Sequence, residues 1–148
     1  MFEHFVAAQD RVLPDVLAEL RAGRKASHWM WFIFPQLTAL GRSDTARRFG
    51  ISGLAEAKAY LAHPVLGPRL IECTGIVNGV AGRTAHEIFG SPDDVKFRSS
   101  MTLFGRAADD PIPFRQALAK YYGGEEDPLT VALLERADGS PGQARGRR

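Results

Sequence analysis

The sequence predicts an all-α fold: a compact single domain of seven or more short helices around a central aromatic helix. Three features of the chain lead there. Apolar residues recur at steps of three and four, the spacing that places them on one face of a helix. Residues that start helices and glycines that stop them punctuate the chain at short intervals. No stretch alternates apolar with polar residues, and no hairpin turn joins two such stretches.

Phe2, Phe5, Val6, Leu13, Val16, Leu17 and Leu20 mark the first apolar face. Pro14 has no amide proton and its ring crowds the carbonyl four residues back, so this face should divide into helices over about 2–11 and 14–22. Gly23 is a good C-terminal stop. Ser27 is placed to cap the next helix through its side-chain oxygen. In that helix Trp29, Phe32, Ile33, Gln36, Leu37 and Leu40 share one face, and His28, Trp31, Phe34 and Pro35 the other. A helix apolar on both sides is either buried all round or has a second face that lines a cavity. Pro35 should kink or end its first turns.

Ser43-Asp44 opens a short basic helix to Phe49, and Ser52 opens another to about Leu61. His63-Pro64 closes that one and starts the next, which runs to about Val80, because proline fits a first helical turn. Thr84-Ala85-His86-Glu87 reads as a capping box. Ser91-Pro92-Asp93-Asp94 starts a helix with acids in its first turn, favourable against the helix dipole; it carries Val95, Arg98, Met101 and Thr102 and should end at Gly105. Ile112–Tyr122 is stopped by Gly123-Gly124, and Asp127-Pro128 opens a last helix to about Arg136.

The expected organisation is therefore a helical domain over 1–137 followed by a basic, disordered tail over 138–148. The charge balance supports the division. Arg145, Arg147 and Arg148 account for the basic excess: 19 basic residues against 17 acidic ones become 16 against 17 without them. A near-neutral body makes nucleic acid an unlikely partner. Neither a basic-then-apolar leader nor a membrane-length apolar run is visible, so a cytoplasmic location and no membrane partner are expected. Cys73 is the single cysteine, read as a buried inert thiol, and no metal-ligand spacing or cofactor motif occurs, so no metal and no cofactor are expected.

The stretch Gly23-Arg24-Lys25-Ala26-Ser27-His28-Trp29-Met30-Trp31-Phe32-Ile33-Phe34-Pro35-Gln36-Leu37 resembles a bacterial family of uncharacterised proteins, the domain of unknown function family 1810. Phe5-Val6-Ala7-Ala8-Gln9, Ala57–Gly67, Ile88-Phe89-Gly90-Ser91-Pro92-Asp93-Asp94, Arg98–Phe104 and the run from Tyr122-Gly123-Gly124 to Asp127-Pro128 fit the same pattern, over about residues 2–135. The resemblance implies a compact all-helical fold and no activity, since the family has no established reaction. The label calpastatin sometimes given to it does not fit, because calpastatin-type inhibitors are disordered repeats.

Several residues could carry chemistry. His28 is a candidate general base, or else an imidazole bonded at a helix start. Trp29 and Trp31 point to different sides, so one belongs to the core and the other can floor a pocket on which a planar ring stacks. Gln36, among apolar neighbours, needs a partner, either a ligand or a structural one. Arg42-Ser43-Asp44, with Arg47 and Arg48, is either an anion site at a helix start or a plain cap beside a solvated basic face. Lys96, Arg98, Ser99, Ser100 and Thr102 form a second polar cluster, placed either to bond carbonyls or to face a ligand. Two functions remain open. The first is a small-molecule binder or hydrolase for a phosphate-bearing, nucleotide-type ligand, with His28 catalytic and Lys25, Trp31, Gln36, Arg42, Ser43, Arg98 and Ser99 holding the ligand. The second is a non-enzymatic helical interaction module, monomer or homodimer, whose aromatic stretch is only core.

Overall fold

The computed structural model describes residues 1–137; the expected tail lies outside the described residues. Among the described residues there are nine α-helices and one short 3-10 turn. They are α1 (Glu3–Arg21), α2 (Met30–Ile33), the 3-10 turn Thr38–Leu40, α3 (Asp44–Arg48), α4 (Leu54–Ala62), α5 (Leu66–Asn78), α6 (Ala85–Phe89), α7 (Asp93–Ala107), α8 (Ile112–Tyr122) and α9 (Pro128–Ala137). The all-α class predicted from periodicity is the fold. The one β-type contact among these residues is an isolated parallel bridge between Leu37 and Ile51.

Two elements differ from the expectation. First, α1 runs unbroken through Pro14. Phe5, Gln9, Val16 and Leu20 are buried on one face, while Pro14 and Asp10, whose carbonyl loses its amide partner, are solvent-facing. Water can serve that carbonyl, so burial on both sides of the proline outweighs a lost bond on the wet side.

Second, the aromatic helix is a single turn. Proline disfavours helical backbone at the residue before it, and Phe34 accordingly leaves the helix at φ −123° and ψ 76°. The chain continues extended, with Thr38 donating to the Ile51 carbonyl at 2.9 Å and Ile51 donating to the Gln36 carbonyl at 2.9 Å. A Cβ on Gly50 would stand 2.4 Å from Thr38 Oγ1 and 2.6 Å from Thr38 Cα, so this crossing demands glycine. Trp29, Met30, Phe32, Ile33 and Phe34 are buried nonetheless. The stretch is the aromatic heart of the core without being its longest helix.

The long element through the core is α7, which packs against α4, α6, α8 and α9. It buries Phe97, Met101, Leu103, Phe104 and Ala107, and each buried phenylalanine contributes about 2–3 kcal/mol by the area it removes from water. Phe97 meets Phe34 edge-on, with ring centroids 5.0 Å apart, and stacks on Phe89 at 4.6 Å. These contacts fix the aromatic turn against α7, and the cleft described next opens at that junction. The helix runs past Gly105 to Ala107.

Candidate functional site

Glu19, on α1, holds the approach to the aromatic turn. Its Oε1 accepts from the amides of Ala26 at 2.7 Å and Ser27 at 3.1 Å, and from Trp29 Nε1 at 2.8 Å. Its Oε2 accepts from Ser27 Oγ at 2.6 Å. Burial favours the neutral acid, but these donors outweigh it and hold the carboxyl at about 2. Ser27 therefore donates to Glu19 and does not cap α2; the cap position is Trp29, which offers no side-chain bond. Gln9 supports the far end of the turn, donating to the Phe32 carbonyl at 2.7 Å while fully buried.

Lys25 is also committed to structure. Its Nζ lies 2.9 Å from Asp93 Oδ2 with the lysine side chain 9% exposed, and 5.1 Å from the centre of the Trp29 ring. The other oxygen of Asp93 faces Lys96 Nζ at 3.7 Å, and Lys96 in turn stands 5.6 Å over the Trp31 ring. One carboxylate at the start of α7 thus ties together two lysines, each over a different tryptophan.

On the Trp31 side the surface opens into a cleft of about 790 Å³. Trp31 and Gln36 come from the aromatic segment, Arg42 and Ser43 from the turn before α3, Lys96 and Ser99 from α7, and Asp127, Leu129 and Arg136 from the start and end of α9. Three cations from separate parts of the chain thus line the same cleft as a half-buried indole, and Lys96 stands over its ring. The other large cavity, about 760 Å³, is lined by Arg106, Arg115, Glu126 and Glu135 among others. There Arg106 already makes a two-pronged pair with Glu126 at 2.8 and 2.9 Å, so its charge is used internally.

Residues 1–134 match the family model described as Protein of unknown function (DUF1810). The chain belongs to that family. Among solved structures this DUF1810 chain is similar to the conserved hypothetical protein Rv1873 from Mycobacterium tuberculosis, with 63% identity and a TM-score of 0.88 over 89% of this chain and 94% of that one. No curated protein matches the sequence. The family model and the solved relative support the fold, and neither description carries an activity.

Of the eight residues singled out from the DUF1810 sequence, five line the one cleft: Trp31, Gln36, Arg42, Ser43 and Ser99. Ser43 Oγ also caps α3, accepting from the Ala46 amide at 3.1 Å. Ser99 Oγ stands 3.2 Å from both the Val95 carbonyl and Asp127 Oδ2, one proton shared between two acceptors. The other three lie elsewhere. Lys25 is bound to Asp93 as described. His28 is solvent-exposed outside the cleft lining. Arg98 clamps the turn between α8 and α9, donating to the carbonyls of Glu125 and Glu126 at 3.0 Å each.

Glu19 and Asp127 escaped the sequence reading as centres of polar contacts. Asp127 was visible only as a helix start, and its buried partners Ser99, Thr102 and Thr130 reach it across the fold or from the following turn. Cys73 is buried, and burial pushes its thiol up to about 12, with Glu72 adding to the rise. Among the described residues no three His, Cys, Asp or Glu side chains are grouped to hold a metal. No helix among them is long and apolar enough to cross a membrane.

Proposed function

We propose that this chain binds a small phosphate-bearing ligand with a planar ring, of nucleotide type, in the Trp31 cleft. The observation that carries the reading is that Arg42, Lys96 and Arg136 line one cleft together with half-buried Trp31, with Lys96 over its ring. Cations gathered along one cleft wall favour an anion, and guanidinium groups match phosphate oxygens two at a time. An indole offers a flat apolar surface on which a base stacks, worth about 1–3 kcal/mol. A ligand ring seated on Trp31 would draw the Lys96 ammonium off the indole and onto the phosphate, and Asp93 at 3.7 Å is a loose enough partner to release it.

Binding is the supported part of the reading. A hydrolase needs a base within hydrogen-bond reach of the reacting atoms, and His28 lies outside the cleft lining. Calorimetry against a panel of nucleotides, sugar phosphates and pyrophosphate tests the proposal. At ten times the dissociation constant a true ligand raises stability by about 1.4 kcal/mol, and Arg42→Ala should weaken binding about tenfold without unfolding the protein. The absence of heat and of a melting shift for the whole panel at millimolar concentration would remove it.

A second reading has one observation in its favour. Val95 is 57% and Leu129 65% exposed at the edge of the same cleft, a start for a contact with another protein. Light scattering of the isolated chain, with and without Leu129→Glu, separates the two: an assembly dispersed by the charge supports contact between copies, and a monomer leaves the cleft to a small molecule.

A further inference from the structure

We infer that the ligand of this cleft carries a free sugar hydroxyl, and that Asp127 is the residue that selects for it. The inference rests on the nucleotide reading above and asks what the wall opposite the cations recognises. Asp127 is 7% exposed and is held by bonds that leave it no freedom to turn. Its Oδ2 accepts from Thr130 Oγ1 at 2.6 Å, from the Thr130 amide at 3.0 Å and from Ser99 Oγ at 3.2 Å. Its own amide donates to Thr102 Oγ1 at 2.9 Å. Every one of those contacts falls on Oδ2 or on the backbone.

The second carboxylate oxygen, Oδ1, has no donor among the described residues. It is not among the enclosed side-chain atoms left without a partner, while Asp127 belongs to the cleft wall. Oδ1 therefore keeps access to solvent, on a residue that belongs to the cleft wall. A carboxylate oxygen accepts hydrogen bonds and cannot donate them, so it repels phosphate and demands a donor from whatever lies against it. In a nucleotide the sugar hydroxyls meet that demand, and phosphates do not.

The spacing along α7 agrees. Lys96, at the indole, and Ser99, at Asp127, are three residues apart, on the same helix face and offset by about 5 Å. A ring on Trp31 with its phosphate toward Arg42 and Lys96 leaves its sugar one helical turn along, beside Asp127. The polarity of the site then orients the ligand: cations take the phosphate end and the carboxylate takes the hydroxyl edge.

Calorimetry with adenosine diphosphate, its dideoxyribose analogue and pyrophosphate tests this on the intact chain. The ribose form should bind at least about tenfold more tightly than the dideoxy form, as expected when a charged acceptor loses its donor. Asp127→Asn, which keeps an oxygen for the Thr130 and Ser99 bonds, should reduce that preference to less than about threefold, and pyrophosphate, relieved of the carboxylate's repulsion, should bind no more weakly than to the unaltered protein. Should the variant fail to fold, the ribose-to-dideoxy ratio of the unaltered protein decides the hydroxyl requirement. Asp127→Glu, which keeps the charge but moves the free oxygen, should then lower that ratio if Asp127 is the residue that selects. Equal affinity for ribose and dideoxy forms overturns the role of Asp127 and leaves the nucleotide reading standing. Failure of adenosine diphosphate and pyrophosphate alike overturns both.

Discussion

The two tryptophans, two residues apart in the chain, sit in opposite kinds of surroundings. Trp29 is fully buried, and its indole proton, the Ser27 hydroxyl and two backbone amides all converge on Glu19. Trp31 is half-buried at the wall of a cleft whose cations come from three other segments. On the first side the indole proton, the Ser27 hydroxyl and the two amides all have a partner inside the protein. On the second, Arg42, Arg136 and Asp127 line a cavity. Polar groups satisfied internally lend rigidity; polar groups on the wall of an open cleft are available to a ligand. The contrast separates the half of the aromatic stretch that is scaffold from the half that lines the cleft proposed to bind a ligand.

Substitutions sharpen or break this contrast, beginning with the largest effect. Trp29→Ala should cost about 3–5 kcal/mol in a denaturant titration, since it empties a fully packed site and leaves Glu19 short of a donor. Glu19→Gln should cost about 2 kcal/mol at neutral pH after allowance for solvent screening, because an amide cannot accept at both positions. The pH dependence has a definite sign. Glu19 is lowered from 4.5 to about 2 in the folded protein, so its contribution is complete above about 4.5 and is lost as pH falls from there toward about 2. Glu19→Gln should flatten that acid limb of the stability curve. An unchanged limb would mean that the carboxylate is not the organiser of the turn.

Trp31→Ala should cost about 1 kcal/mol or less, the range for a side chain only partly removed from water, while abolishing any stacking ligand. If it proved as damaging as Trp29→Ala, the cleft side would be core as well. The smallest effect belongs to His28→Ala, expected within about 0.5 kcal/mol of the unaltered protein because the side chain is exposed. A large loss of stability there, read by thermal melting, would contradict its placement.

Local signals in the sequence translated directly. Thr84 and Glu87 satisfy each other's turn in a reciprocal capping box, with Thr84 Oγ1 accepting from the Glu87 amide at 3.1 Å and Glu87 Oε1 from the Thr84 amide at 2.8 Å. Such a device needs only four consecutive residues, so periodicity and capping rules reveal it. Pro14 misled for the complementary reason: its cost depends on whether its carbonyl partner is wet, which is a property of the fold. Glu19 and Asp127 were illegible because their partners come from elsewhere in the fold. Ser27 and Trp29 reach Glu19 from beyond the end of α1, and Ser99 and Thr102 reach Asp127 from α7. The cleft was half legible. Aromatic, amide and basic residues between Trp31 and Ser43 are close in sequence, whereas Lys96, Asp127 and Arg136 join them only when α7 and α9 pack.

The most direct test follows the two indole N–H resonances by NMR while adenosine diphosphate is added to the intact protein. The Trp31 signal should move progressively to saturation, and the Trp29 signal, locked on Glu19, should stay in place. Two unmoved signals at millimolar nucleotide, or a moving Trp29 beside a still Trp31, would contradict the assignment of the cleft.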